Sequence, residues 1–199
     1  LANQLSGLEH IHFLEQNEQF HRDYHAGTLD IFEYYAFSLN TIKQIPIADR
    51  QTLQQKFVNT IIKPMITPAA RKLVADHQSQ GHLCAVITAT HRYITAPIVP
   101  LFNIEHLIAS DPEVVAGEFT GKIIGDPCFQ IGKLSKLKTW LETLGLSTQH
   151  FKAIHAYSDS HNDLPLLEYA SAPTVVNPDS RLAALVLERK WPQLKFAVE

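Results

Sequence analysis

From about residue 8 to residue 66 apolar side chains recur at helical spacing, and glycine or proline appears only at breaks. Phe13, Phe20 and Tyr24 fall on one face of a first predicted helix that ends near Gly27. Thr28 reads as the N-cap of a second, carrying Ile31, Tyr34, Tyr35 and Leu39. A third is expected from about Ala48 to Ile62, stopped by Pro64, which completes a small helical bundle over residues 1–66. From Thr67 the pattern changes to alternating helix and strand, the mark of a mostly parallel sheet with helices on its faces. Thr67-Pro68 opens a helix that Gly81 ends. Leu83–Thr88 is a continuous apolar run, as expected for a central strand buried on both faces. A helix over Tyr93–Phe102 follows, then a strand and hairpin over 106–124 turning near Gly117. Further helices are expected over Lys133–Leu144, Asp163–Tyr169 and Pro178–Leu187, and strands over Ala153–Tyr157 and Thr174–Val176. The fold class is therefore α/β: a Rossmann-like, mostly parallel sheet over residues 67–199 with a helical bundle attached.

Composition narrows the function. The 199 residues are 45% hydrophobic and 19% charged, ordinary for a globular chain and unlike a disordered or fibrous one. A net charge of −3, with Lys and Arg scattered, gives no basic stripe for a nucleic-acid backbone. No stretch approaches the ~20 apolar residues that cross a bilayer, and no charged-then-apolar leader opens the chain. Cys84 and Cys128 lie in apolar stretches and read as buried, reduced thiols. The expectation is a cytoplasmic protein that binds neither membrane nor nucleic acid.

Candidate chemistry sits at strand ends, where open α/β sheets bind ligands. Ser158-Asp159-Ser160-His161-Asn162-Asp163 lies where an apolar strand gives way to a helix. Asp159 and Asp163 can turn toward one hard cation such as Mg²⁺, which wants one or two carboxylates and keeps its waters; as an alternative, both cap the helix. Thr88-Ala89-Thr90 offers a hydroxyl and backbone N–H groups to a phosphoryl oxygen, or merely ends a strand. Lys133 opens a helix against its dipole, which invites a functional reason, the alternative being a solvated lysine. The order of hydroxyl, lysine and Asp pair suits phosphoryl transfer, where catalysis is positioning plus neutralisation of charge.

At these residues the sequence resembles the haloacid dehalogenase (HAD) superfamily, in the phosphoserine-phosphatase-like branch (subfamily IB) with an inserted helical cap. VITAT (86–90) is similar to the second family motif, PCFQIGKLSKLKTWL (127–141) to the third and YSDSHNDLPLL (157–167) to the fourth. YHAGTLDIFEY (24–34), TATHRYITAPI (88–98) and VVNPDSRL (175–182) also resemble stretches of this branch. The resemblance implies a magnesium-dependent phosphatase acting on a small phosphorylated metabolite through an aspartyl-phosphate intermediate. It implies that Thr88 binds the transferring phosphoryl group with the Ala89 N–H, and that Lys133 neutralises charge. Asp159 would ligate Mg²⁺, Asp163 would support its waters and Lys133, and Asn162 would hydrogen-bond near the phosphate. Residues 1–66 would form the cap, with Glu18, Arg22, His25 and Arg92 as conceivable readers of the substrate.

The family's first motif, DxDx[TV] with its nucleophilic aspartate, is not found in these residues, and Asp23, Asp30 and Asp49 sit in cap-like helices. In this branch that motif precedes the cap. The chain starts at Leu1 rather than Met, so the expectation is that the native protein carries the motif upstream, on a strand and loop of roughly twenty to thirty residues. Without that strand its neighbours would keep unpaired backbone groups, so the chain alone is expected to be unstable or to pair. A catalytically inactive HAD-like binding module and a phosphotransferase using the same site are the rival readings. There is no G-x-S-x-G, no G-x-G-x-x-G and no H-E-x-x-H. Gly125, Gly132 and Lys133 have the wrong spacing for a P-loop, and a zinc site from His155 and His161 is set aside because His155 lies within a strand. Oligomeric state and physiological substrate are not encoded in any motif.

Overall fold

The computed structural model describes residues 7–196. Helix α1 (Gly7–Ala26) ends at Gly27, whose φ of +73° suits a glycine after a helix. Helix α2 (Ile31–Lys43) is capped by Asp30, whose carboxylate accepts from the N–H groups of Phe32 and Glu33. The predicted cap, Thr28, instead turns its hydroxyl to the Asp23 carbonyl. A carboxylate accepting two N–H groups at a helix start gains from the dipole as well, so Asp30 wins the position.

Helix α3 (Ile47–Phe57) runs into a π turn (Val58–Ile62) and a short α4 (Lys63–Met65) that contains Pro64. Proline does not stop this helix where the sequence places a stop. The widened turn, in which the Lys63 N–H reaches back to the Val58 carbonyl, relaxes the backbone just where the proline ring would meet the preceding turn. Thr67 caps α5 (Pro68–Ser79) through its hydroxyl and the Ala70 N–H, as its sequence signature requires.

Strand β1 (Ala85–Ile87) is shorter than predicted and only half-buried. Among the described residues it pairs on one edge alone, in parallel, with β2 (His106–Ile108), and its other edge borders a cleft. Cys84, ahead of the strand, is half-buried rather than buried. The helix expected over 93–102 is split into α6 (Arg92–Thr95) and a 3-10 turn (Val99–Phe102), because Pro97 and Pro100 cannot donate to a continuous helical ladder. Strands β3 (Asp111–Val115) and β4 (Glu118–Ile124) form an antiparallel hairpin. Its turn residues, Ala116 and Gly117, have φ of 51° and 81°, the conformation tight two-residue hairpins need.

Helix α7 (Ile131–Thr143) is followed by β5 (His155–Ser158), α8 (Leu164–Tyr169), β6 (Ala172–Val176), α9 (Ser180–Arg189) and a two-residue β7 (Gln193–Leu194). Strands β5, β6 and β7 are parallel in that order, β7 being unforeseen in the sequence. A mostly parallel sheet flanked by helices is thus present, in two segments, β2-β1 and β5-β6-β7.

Two apolar clusters hold these parts together. Leu167, Val175 and Leu182, all at 0% exposure, join α8, β6 and α9, and Ile87 of β1 packs against the same cluster. Burying each such side chain stabilises by about 1.5–3 kcal/mol. Ile31, Tyr35, Leu39 and Ile42 of α2 pack on Phe119 of β4 and on Phe129, so the helical region and the hairpin share a core. Arg50, buried at the start of α3, locks that contact by donating to the Ile45 carbonyl at 2.8 Å and to the Glu118 carboxylate at 2.6 Å.

Candidate active site

The carboxyl ends of β1 and β5 open onto one cleft of about 370 Å³. Thr88, Ala89, Lys133, Asp159 and Asp163 all line it, so residues far apart in sequence meet as expected. Each position has a local cause. Thr88 stays in line with β1 because its N–H donates to the Ile108 carbonyl at 3.0 Å. Its hydroxyl oxygen accepts from the Thr90 N–H, leaving the hydroxyl proton to donate elsewhere. The Ala89 carbonyl is held by the buried Tyr35 hydroxyl at 2.7 Å.

Lys133 is brought in by a tight turn. Gln130 adopts φ 46° and ψ −122° ahead of α7, and a Cβ at Gly132 would lie 2.1 Å from the Pro127 carbonyl oxygen. Only glycine fits at 132. The lysine side chain is 6% exposed and its Nζ donates to Asp163 Oδ1 at 2.5 Å. The second Asp163 oxygen accepts from the Ser158 hydroxyl at 2.7 Å. The unfavourable placement of a cation at a helix start is therefore offset by a buried partner.

Asp159 is different. Among the described residues its carboxylate has no hydrogen-bond donor from another residue, and burial pushes its pKa above the usual carboxylate range; its own backbone N–H opposes that shift and nearby Asp163 reinforces it. A carboxylate so placed is stabilised by a cation. Hard oxygen donors of this kind, one free and one braced by lysine, suit Mg²⁺, whose remaining positions are filled by waters and substrate oxygens. Among the described residues no three His, Cys, Asp or Glu side chains gather around one point, so a closed protein cage of the structural zinc kind is not formed. His161 is engaged by Asp179 at 2.9 Å. His155 packs against His77 and His82 instead.

Asn162 lies beside the cleft rather than on its wall. Its side chain donates to the Tyr24 carbonyl at 3.0 Å and accepts from Gln130 at 3.1 Å. Three residues to which the sequence assigned no role complete the framework. Ser158 braces Asp163, and the Ser160 hydroxyl accepts from Tyr24 at 2.8 Å. Asp179 ties α9 to the loop by accepting from the His161 N–H at 2.8 Å. Burial alone would raise the Asp179 carboxyl, but the Leu182 and His161 N–H groups outweigh it and hold the group below the usual range. The alternation of serine with aspartate at 158–160 was the available signal, since short hydroxyl side chains at a strand end bond locally.

The proposed substrate readers fare differently. None of Glu18, Arg22, His25 and Arg92 lines the cleft. Arg92 pairs with Asp111 and donates to the Leu107 carbonyl, which anchors α6 to the strands. Helix α1 presents Asn17, Phe20, His21 and Tyr24 to the cleft instead.

A Rossmann-like sheet with a hydroxyl and two carboxylates near its strand ends, and a lysine at a neighbouring helix start, has the parts that phosphoryl transfer needs. Residues 9–168 match the haloacid dehalogenase-like hydrolases, and the chain belongs to that family. It is 38% identical over 182 residues to a histidinol-phosphatase of Neisseria meningitidis serogroup C (strain 8013), covering 91% of this chain and 82% of that protein. A phosphoserine phosphatase of Mycobacterium tuberculosis (strain ATCC 25618 / H37Rv) is 30% identical over 152 residues, which are 76% of this chain and 48% of that protein. A crystal structure of a Bordetella pertussis Tohama I protein of unknown function superposes with a TM-score of 0.85 at 34% identity, over 93% of this chain and 82% of that one. The chain spans most of the neisserial relative and about half of the mycobacterial one. The class of enzyme is phosphomonoester hydrolase. Among the described residues no helix is long and apolar enough to cross a membrane.

Proposed function

We propose that the protein hydrolyses a small phosphorylated metabolite with Mg²⁺, through an aspartyl-phosphate intermediate. The observation that carries this reading is the cleft itself: the Lys133–Asp163 pair, the unbonded Asp159 carboxylate and the Thr88 hydroxyl share one wall. In this account residues 1–66 are the cap and 67–199 the catalytic core. Asp159 holds Mg²⁺, and Asp163 orients the ion's waters while fixing Lys133. Bound there, Mg²⁺ supplies positive charge to the phosphoryl oxygens. Thr88 and the Ala89 N–H donate to those oxygens, Lys133 neutralises them, and Asn162 holds the loop against α1.

Asp23, Asp30 and Asp49 do not line the cleft; Asp30 is committed to capping α2, and Asp23 accepts from Gln19. The attacking group in this reading is the aspartate of the family's DxDx[TV] motif, a role that none of Asp23, Asp30 and Asp49 is placed to fill. Its carboxylate oxygen bonds to phosphorus as the P–O bond to the alcohol breaks, and the second aspartate protonates the departing oxygen. Water then cleaves the acyl phosphate, releasing inorganic phosphate and restoring the carboxylate. The relatives' names point to two kinds of alcohol, histidinol and serine, both small.

The test is release of phosphate from p-nitrophenyl phosphate by the full-length protein. Activity that requires Mg²⁺, disappears with a chelator and falls at least a hundredfold in Asp159→Asn, on the order of losing one charge-stabilising group, supports the reading. Full activity without divalent metal, or an unaltered Asp159→Asn variant, overturns it.

A further inference from the structure

The two walls of the cleft differ in chemistry. The strand ends supply the charged groups, whereas α1 and α2 supply Asn17, Phe20, His21, Tyr24 and Tyr34. Among the described residues that second wall holds no Lys, no Arg and no carboxylate. The cations nearby are engaged elsewhere. Lys133 is held by Asp163 on the strand-end side of the cleft, where the phosphoryl group is placed. Arg22 of α1 bonds Gln19 at 2.7 Å and faces Glu18 at 3.9 Å. Arg181 donates to the Ala26 carbonyl, and Arg50 and Arg92 pair with Glu118 and Asp111.

Helix α1 also carries Glu15, Glu18 and Asp23 against a single arginine, Arg22, and none of these four lines the cleft. Phe20 meets Tyr34 edge-on at 5.6 Å, and Tyr24, which also lines the cleft, is backed by the buried Phe129 at 6.3 Å. Such a wall stacks planar groups and attracts ammonium ions, while the Asn17 amide, and the His21 ring through the nitrogen not engaged by His25 at 3.2 Å, can bond neutral polar groups. A carboxylate entering there would lose water and gain no guanidinium in return.

Resting on the phosphatase reading above, we propose that the leaving group is a neutral or cationic alcohol bearing a ring or an amine, and that phosphate esters carrying an α-carboxylate are discriminated against. The residues that read it are Phe20 and Tyr24 by stacking, and Asn17 and His21 by hydrogen bonding.

Two matched pairs test this with the full-length, Mg²⁺-loaded protein. Phosphoethanolamine and phosphoserine differ only in the carboxylate; 2-phenylethyl phosphate and ethyl phosphate differ only in the ring. Expected is a kcat/KM at least about tenfold higher for the first member of each pair. Asn17→Arg, on an exposed stretch of α1, should raise phosphoserine relative to phosphoethanolamine by about five- to tenfold by supplying the missing guanidinium. Phe20→Ala should erase most of the ring preference. Phosphoserine turned over as well as phosphoethanolamine, or no ring preference at all, overturns this inference and leaves the phosphatase reading intact. No turnover of any of the four esters or of p-nitrophenyl phosphate overturns both.

Discussion

Lys133 Nζ lies 2.5 Å from Asp163 Oδ1, with the two side chains 6% and 11% exposed, and both residues line the cleft. A buried pair costs much to desolvate, so its presence argues for a role beyond stability. Removing one partner leaves a buried charge alone. Lys133→Met and Asp163→Leu, each alone, should lower unfolding free energy by about 3–5 kcal/mol in urea titrations. The double variant should recover most of that loss and still lack activity. Additive losses in the double variant would show that the pair is not coupled.

Asp159 should behave in the opposite way. Its carboxyl is pushed up by burial, so the charged form costs stability at neutral pH, where the unfolded group is ionised. Asp159→Asn is therefore expected to raise Tm in metal-free buffer. Wild type should gain thermal stability with Mg²⁺, about 2.7 kcal/mol at a hundred times the dissociation constant, and the variant should gain almost none. A variant that melts lower without metal, or responds equally to Mg²⁺, contradicts the assignment.

His91 provides a pH-dependent marker of the fold. It is 1% exposed, its Nδ1 has no partner among the described residues, and burial holds its pKa down at about 4 against 6.5 when free. Tyr35 and Tyr93 face its ring, and Ser38 meets its Nε2. The folded chain keeps this imidazole neutral, so its contribution is complete above pH 6.5 and is lost as pH falls from 6.5 towards 4. Across that window His91→Asn should show a flatter stability profile than wild type, by up to about 3 kcal/mol. Parallel profiles would exclude His91 as the cause.

Tyr24 joins α1 to the loop after β5 through its hydroxyl on Ser160, across 136 positions of sequence, and through its carbonyl, which accepts from Asn162. Tyr24→Phe removes one of those bonds. Its loss should weaken the hold of α1 over the cleft, raising KM about threefold to tenfold for about 0.5–1.5 kcal/mol of hydrogen bond, with little change in kcat. A fall in kcat at constant KM would place Tyr24 in the chemistry instead.

What the sequence reveals is what local chemistry decides. Thr67-Pro68, the Gly117 turn and the Asp-rich loop after β5 are legible because cap, turn and strand end are each set by neighbours in the chain. Thr88, Lys133 and Asp163 could be grouped because all three stand at strand or helix ends that open onto one cleft. The π turn before Pro64 was not legible, since proline alone argues for a stop and the widening depends on packing. The Gln130 conformation at φ 46° and the bond from Tyr24 to Ser160 are tertiary choices with no local signature. The pairing of Arg92 with Asp111, brought near by the hairpin, likewise has no signature in the local sequence.

The most direct test is a crystal of the full-length protein grown with Mg²⁺ and beryllium fluoride as the phosphoryl mimic. Expected is a magnesium ion about 2.0–2.1 Å from an Asp159 oxygen, with the mimic within hydrogen-bond reach of Thr88 Oγ1 and Lys133 Nζ. An ion or mimic seated away from this cleft, with Asp159 left unligated, would contradict the account.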